Sequence, residues 1–77
     1  MTTSRKPRQP IAEFVRARRK AGGLTQGELG ELAGVGRRFV SELERAKPTL
    51  RMDSVNKVLA VFGKALGIVD APTDDSP

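Results

Sequence analysis

Apolar residues recur along the chain at helical spacing, in four groups separated by glycine, threonine or proline. Ile11, Phe14 and Val15 form the first group, Leu29, Leu32 and Ala33 the second, Val40 and Leu43 the third, and Val55, Val58, Leu59 and Phe62 the fourth. Steps of three and four residues place each group on one face of a helix. The boundaries are equally legible. Pro10 suits the first turn of the first helix, and Gly22 and Gly23 stop it. Thr25 with Glu28 makes a capping box for the second helix, which Gly34 ends through the left-handed conformation that glycine adopts without strain. The third helix opens near Gly36 and runs to about Arg45, Lys47-Pro48-Thr49 makes a turn, and the fourth runs from about Met52 to Phe62, closed by Gly63. Beyond Gly63 the period shortens to two: Leu66 and Ile68 face one way, Ala65, Gly67 and Val69 the other. Such alternation predicts a short strand over 64–69. A lone strand leaves its backbone groups unpaired, so it needs an edge from elsewhere. A second copy of the chain would supply one as an isologous antiparallel ribbon with Leu66, Ile68 and Val69 at the interface; an extended coil packed on its own subunit is the alternative.

Gly30 stands inside the second helix, where glycine costs roughly 1 kcal/mol against alanine. Close approach of the third helix is a reason to keep it. A small residue at 30, a glycine turn at 34 and a branched apolar residue at 40 form the helix-turn-helix pattern; the bland reading is an ordinary antiparallel helix pair with incidental glycines. The expected class is therefore all-α, four to five helices, with a short C-terminal β-strand pairing across a homodimer. Residues 1–9 read as a disordered basic arm, 10–63 as the helix-turn-helix domain, 64–69 as the dimerisation strand and 70–77 as a disordered acidic tail.

The stretch VRARRKAGGLTQGELGELAGVGRRFVSELERAKPT, followed by a fourth helix and a strand, resembles the lambda-repressor-like (XRE) helix-turn-helix domains, and among them the HipB-type antitoxins. The likeness spans residues 11–69, and LTQ at 24–26, AGVGRRFVSELE at 33–44 and LAVFGKALGIV at 59–69 carry it. It implies a partly buried ion pair between Arg19 and Glu44, tying the first helix to the third, and a phosphate contact at Gln26. It further implies a toxin partner, a HipA-like kinase encoded beside this chain, which the chain would neutralise while repressing the shared operon. One position departs from the family pattern. Ala46 stands where glycine usually follows the recognition helix, and alanine is strained in the left-handed conformation, which points to a re-formed turn.

Composition narrows the alternatives. Seventy-seven residues allow one domain with a modest core, near the lower end of what folds unaided. The absence of cysteine and histidine removes disulfides, thiolate and imidazole zinc ligands, and nucleophile-histidine pairs. No nucleophile, metal site or phosphate-cradling loop can be assembled from these residues, so no cofactor is expected and an enzyme is the least expected of the readings. No apolar run approaches a membrane span and no signal-peptide core follows the basic start, so a cytoplasmic location is expected. The net charge of +5 is unevenly placed: residues 1–20 carry +6, residues 21–69 carry +2, and the three aspartates of 70–77 give −3. Positive charge gathers on the arm and the first helix, and two adjacent arginines open the third helix, a footprint suited to phosphate.

A recognition helix presents its N-terminal residues to base edges in the major groove. Here these are Arg37 and Arg38, whose forked guanidinium groups match guanine O6 and N7, with Ser41 one turn later. Val35 or Phe39 could meet a thymine methyl, although core packing suits Phe39 as well. Gln26 lies in the first turn of the second helix, where free N–H groups favour a phosphate. Arg45 and Lys47, at the far end of the third helix, suit the phosphate backbone across the groove or are plain surface residues. The arm either tracks the minor groove or only solubilises the chain. The reading that follows is a homodimeric, sequence-specific repressor of double-stranded DNA, bound to an operator inverted repeat and serving as an antitoxin. Its rivals are a phage-type or restriction-controller repressor without a toxin, and a protein-interaction adapter without DNA binding.

Overall fold

The computed structural model describes residues 10–68; the arm at 1–9, Val69 and the tail at 70–77 lie outside the described residues. Among the described residues four helices follow one another: α1 (Pro10–Ala21), α2 (Gln26–Ala33), α3 (Arg37–Glu44) and α4 (Met52–Val61). α2 packs on both α3 and α4, and α1 packs on α3. Their inward faces meet in one core of Val15, Leu29, Val40, Leu43, Val55, Val58 and Leu59. Leu29, Val15, Val40 and Val58 are fully enclosed. Each such side chain contributes about 1.5–3 kcal/mol over its exposed state.

The predicted punctuation holds. The Glu28 N–H donates to Thr25 Oγ1 at 3.0 Å and the Thr25 N–H donates to Glu28 Oε1 at 2.8 Å, which completes the capping box. All four helices close with the same pair of hydrogen bonds, one from a residue in the left-handed conformation and one from the residue after it. After α1 these are Gly23 N–H to Lys20 O and Leu24 N–H to Arg19 O; after α2, Gly34 N–H to Glu31 O and Val35 N–H to Gly30 O; after α4, Gly63 N–H to Ala60 O and Lys64 N–H to Leu59 O. After α3 the left-handed residue is Ala46, at φ 62°, with its N–H on Leu43 O at 3.0 Å and the Lys47 N–H on Glu42 O at 3.1 Å. The turn is thus not re-formed. Two backbone hydrogen bonds outweigh a strain of about 1–2 kcal/mol.

One other expectation is corrected. Leu32 is 63% exposed rather than part of the buried stripe. Leu29, Gly30 and Ala33 form the contact face of α2, and Leu32 lies on the side of Leu29 away from Gly30, so burying Gly30 against α3 turns Leu32 outward. Residues 64–68 form no strand within the single chain, since a strand requires a ladder partner. Leu66 instead packs against its own core, with its N–H donating to Asn56 Oδ1 at 2.7 Å, while Ile68 is fully exposed. Phe39 is half-buried and joins the core. On the outside of α1, Arg18 sits 5.2 Å and 5.8 Å from the ring centres of Phe14 and Phe62, which meet edge to face, closing the end of α4 onto α1.

Candidate nucleic-acid interface

The turn between α2 and α3 sets the geometry of the face. A β-carbon at Gly30 would stand 2.9 Å from Val35 O, 3.2 Å from Arg37 N and 3.2 Å from Gly36 C, all backbone atoms. The head of α3 therefore rests directly on α2, and only glycine permits that separation. Gly36 precedes α3 in an extended conformation with no side chain to cap the helix. Arg37 and Arg38, the first two residues of α3, point into solvent.

The two arginines differ in surroundings. Arg37 runs back along α2, its Cδ 3.7 Å from where a β-carbon at Gly27 would lie, and with Arg19, Leu24, Thr25, Gln26 and Gly27 it borders a shallow depression. Arg38 is 90% exposed, and its Nε lies 3.4 Å from Glu42 Oε2 one turn on. The same carboxylate oxygen lies 3.6 Å from Lys47 Nζ. Ser41 is half-buried on α3, while Arg45 and Lys47 are exposed around its end. Sequence reasoning assigns Glu42 no site role, although its i,i+4 spacing from Arg38 is legible there.

Behind this face Arg19 and Glu44 form a two-pronged pair: Arg19 Nε donates to Glu44 Oε2 at 2.6 Å and Arg19 Nη2 to Glu44 Oε1 at 3.0 Å. Arg19 Nη1 donates to Leu24 O at 2.8 Å, fixing the chain between α1 and α2. Gln26 Nε2 donates to Glu44 Oε1 at 3.2 Å. Burial pushes the Glu44 carboxyl up, but the hydrogen bonds from Arg19 and Gln26 and the charges of Arg19 and Arg16 together hold it below its ordinary value. The capping box satisfies two of the four free N–H groups that open α2, and those of Gln26 and Gly27 remain. Gln26, Arg37 and the start of α2 are thus brought together, with Arg38, Ser41, Arg45 and Lys47 following along and beyond α3. Leu66, packed on the core, and the exposed Ile68 follow α4. No helix among the described residues is long and apolar enough to cross a membrane.

Two short helices joined by a tight glycine turn, the second offering paired arginines, define a helix-turn-helix domain. The chain belongs to the helix-turn-helix family of DNA-binding regulators, whose family model matches residues 15–69. It is similar to the uncharacterized HTH-type transcriptional regulator y4mF of Sinorhizobium fredii (strain NBRC 101917 / NGR234), with 42% identity over 59 residues, which cover 77% of this chain and 78% of that protein.

Proposed function

We propose that the chain is a sequence-specific repressor that binds an operator inverted repeat as a homodimer and acts as the antitoxin to a HipA-like kinase. The exposed arginine pair at the head of α3, beside the open N-terminus of α2, carries the DNA-reading part. Arg37, Arg38 and Ser41 contact base edges; Gln26, Arg45 and Lys47 contact phosphates and set the register. Dimerisation uses the segment after α4. The Leu66 N–H is engaged by Asn56, so in an extended segment the neighbouring Ala65 and Gly67 direct their backbone groups to the other side, toward a partner strand. The exposed Ile68 supports the same edge as a contact between copies. The antitoxin role rests on the resemblance of residues 11–69 to HipB-type proteins, and a repressor without a toxin would present the same face.

Selection of bound duplexes from a random pool, at near-physiological salt, tests the reading. Enrichment of one inverted repeat, with log affinity falling steeply against log salt, is expected. A folded protein that enriches nothing and shows no salt dependence would instead be an adapter. Co-purification of a neighbouring kinase-like gene product is the outcome expected of an antitoxin, and failure to recover one favours a stand-alone repressor.

A further inference from the structure

Gln26, which opens α2, and Glu44, which ends α3, are separated by 18 residues in the chain, yet their side chains are hydrogen-bonded. Glu44 Oε1 accepts from both Gln26 Nε2 and Arg19 Nη2, and Oε2 accepts from Arg19 Nε. The Glu44 side chain is 4% exposed, so water competes weakly for these oxygens. An ionised carboxylate only accepts, whereas the glutamine amide has a donating and an accepting end. Only the nitrogen end can face Glu44, which sets the orientation of the amide. That nitrogen has a second hydrogen, which the bond to Glu44 leaves unused, and it belongs to the half-buried residue that opens α2, where the backbone N–H groups of Gln26 and Gly27 are also free. With the amide free to rotate, its carbonyl oxygen would face an approaching phosphate half of the time and repel it. Arg19 neutralises Glu44, so a carboxylate can stand behind a phosphate-binding group without opposing it.

We propose that Glu44 is a positioning residue for phosphate binding by Gln26, holding the amide so that its second N–H is presented to the DNA backbone beside the start of α2. The Arg19–Glu44 pair then serves the DNA interface as well as the packing of α1 on α3. The inference rests on the DNA-binding reading and assigns a role in it to a group with no DNA contact of its own.

A double-mutant cycle on a selected operator duplex tests it, with Gln26→Ala, Glu44→Gln and the double variant each shown by thermal melting to be folded at the assay temperature. Gln26→Ala is expected to weaken binding about tenfold, the worth of one hydrogen bond to a charged group. Glu44→Gln should weaken wild-type binding several-fold but have no further effect in the Gln26→Ala background. Replacing the contacted phosphate by a neutral methylphosphonate should abolish the effect of both. An equal loss from Glu44→Gln in the two backgrounds would overturn the proposal, because it would mean action through helix packing alone. If Glu44→Gln does not fold, proton NMR of the wild type decides: a cross-peak between the Gln26 side-chain amide and the Arg19 guanidinium protons, retained on duplex, supports the coupling, and its absence on duplex overturns it. A wild type that binds no duplex would fail earlier and remove the DNA-binding reading itself.

Discussion

Replacing Gly30 by alanine tests the closeness of α2 and α3 directly. The added β-carbon would meet Val35 O at 2.9 Å, and reaching 3.4 Å, the near edge of ordinary contact, requires a shift of about 0.5 Å. The neighbouring atoms all belong to backbone, so the turn and the head of α3 must move together. Overpacking of this kind costs roughly 1–3 kcal/mol, and rigid neighbours place it at the upper end. Alanine returns about 1 kcal/mol through its better helix propensity. The net expectation is a loss of roughly 2 kcal/mol, a melting point lower by about 10 °C for a domain of this size. Gly27→Ala is the internal control: the same change in the same helix meets only Arg37 Cδ at 3.7 Å and Thr25 Oγ1 at 3.9 Å. It should leave stability unchanged or raise it by up to about 1 kcal/mol. Urea unfolding followed by circular dichroism measures both. A Gly30→Ala protein as stable as the wild type, or as stable as Gly27→Ala, would refute the close approach and the placement of α3 built on it.

Other expectations follow from single contacts. Ala46→Gly should gain roughly 0.5–1 kcal/mol, because relief of left-handed strain exceeds the added freedom of the unfolded chain; unchanged or lower stability in urea would mean that the turn is unstrained. Arg19→Ala should lose about 3–5 kcal/mol by leaving Glu44 buried without its partner, so its DNA binding is interpretable only if melting shows a folded protein. Because the folded-state pKa of Glu44 is lowered from 4.5, the pair's stabilisation is complete above that value and is lost as pH falls through the lower folded one. Unfolding free energy measured from about pH 6 to about pH 3 should decline more steeply in the wild type than in Glu44→Gln, and equal slopes would remove the pair from the acid response. Arg37→Ala or Arg38→Ala should relax preference at one base position per half-site; uniform weakening across all sequences would assign that arginine to phosphate. Gly67→Pro should weaken dimerisation by removing a backbone donor from the proposed ribbon, and an unchanged dimer in sedimentation would exclude it.

Much of the molecule is local, and locality made it legible in the sequence. Four apolar stripes at helical spacing, the Thr25–Glu28 capping box and the stops at Gly23, Gly34 and Gly63 each depend on residues a few positions apart. Gly30 announced a close contact because glycine inside a helix is costly without one. The arginines at 37 and 38 were visible as the head of the third helix, and their exposure follows from the buried positions of Val40 and Leu43 on that same helix.

What local pattern could not decide depended on direction and on partners distant in the chain. Leu32 satisfied the spacing of the buried stripe but turned outward, because the axis of α2 is set by contact at Gly30 and not by its leucines. Ala46 predicted a different turn, yet the hydrogen bonds that close α3 impose the left-handed conformation on whatever residue stands there. The alternation from Ala65 to Ile68 carried a strand pattern, but a strand is a relation between two segments, and within one chain Asn56 engages the Leu66 N–H instead. Gln26 and Glu44 could each be given a role from sequence, one by helix position and one by resemblance. Their shared hydrogen bond spans two helices and exists only once α1, α2 and α3 have packed. Spacing along the chain determined which helices form and which residues they expose; packing determined which of those residues act on one another.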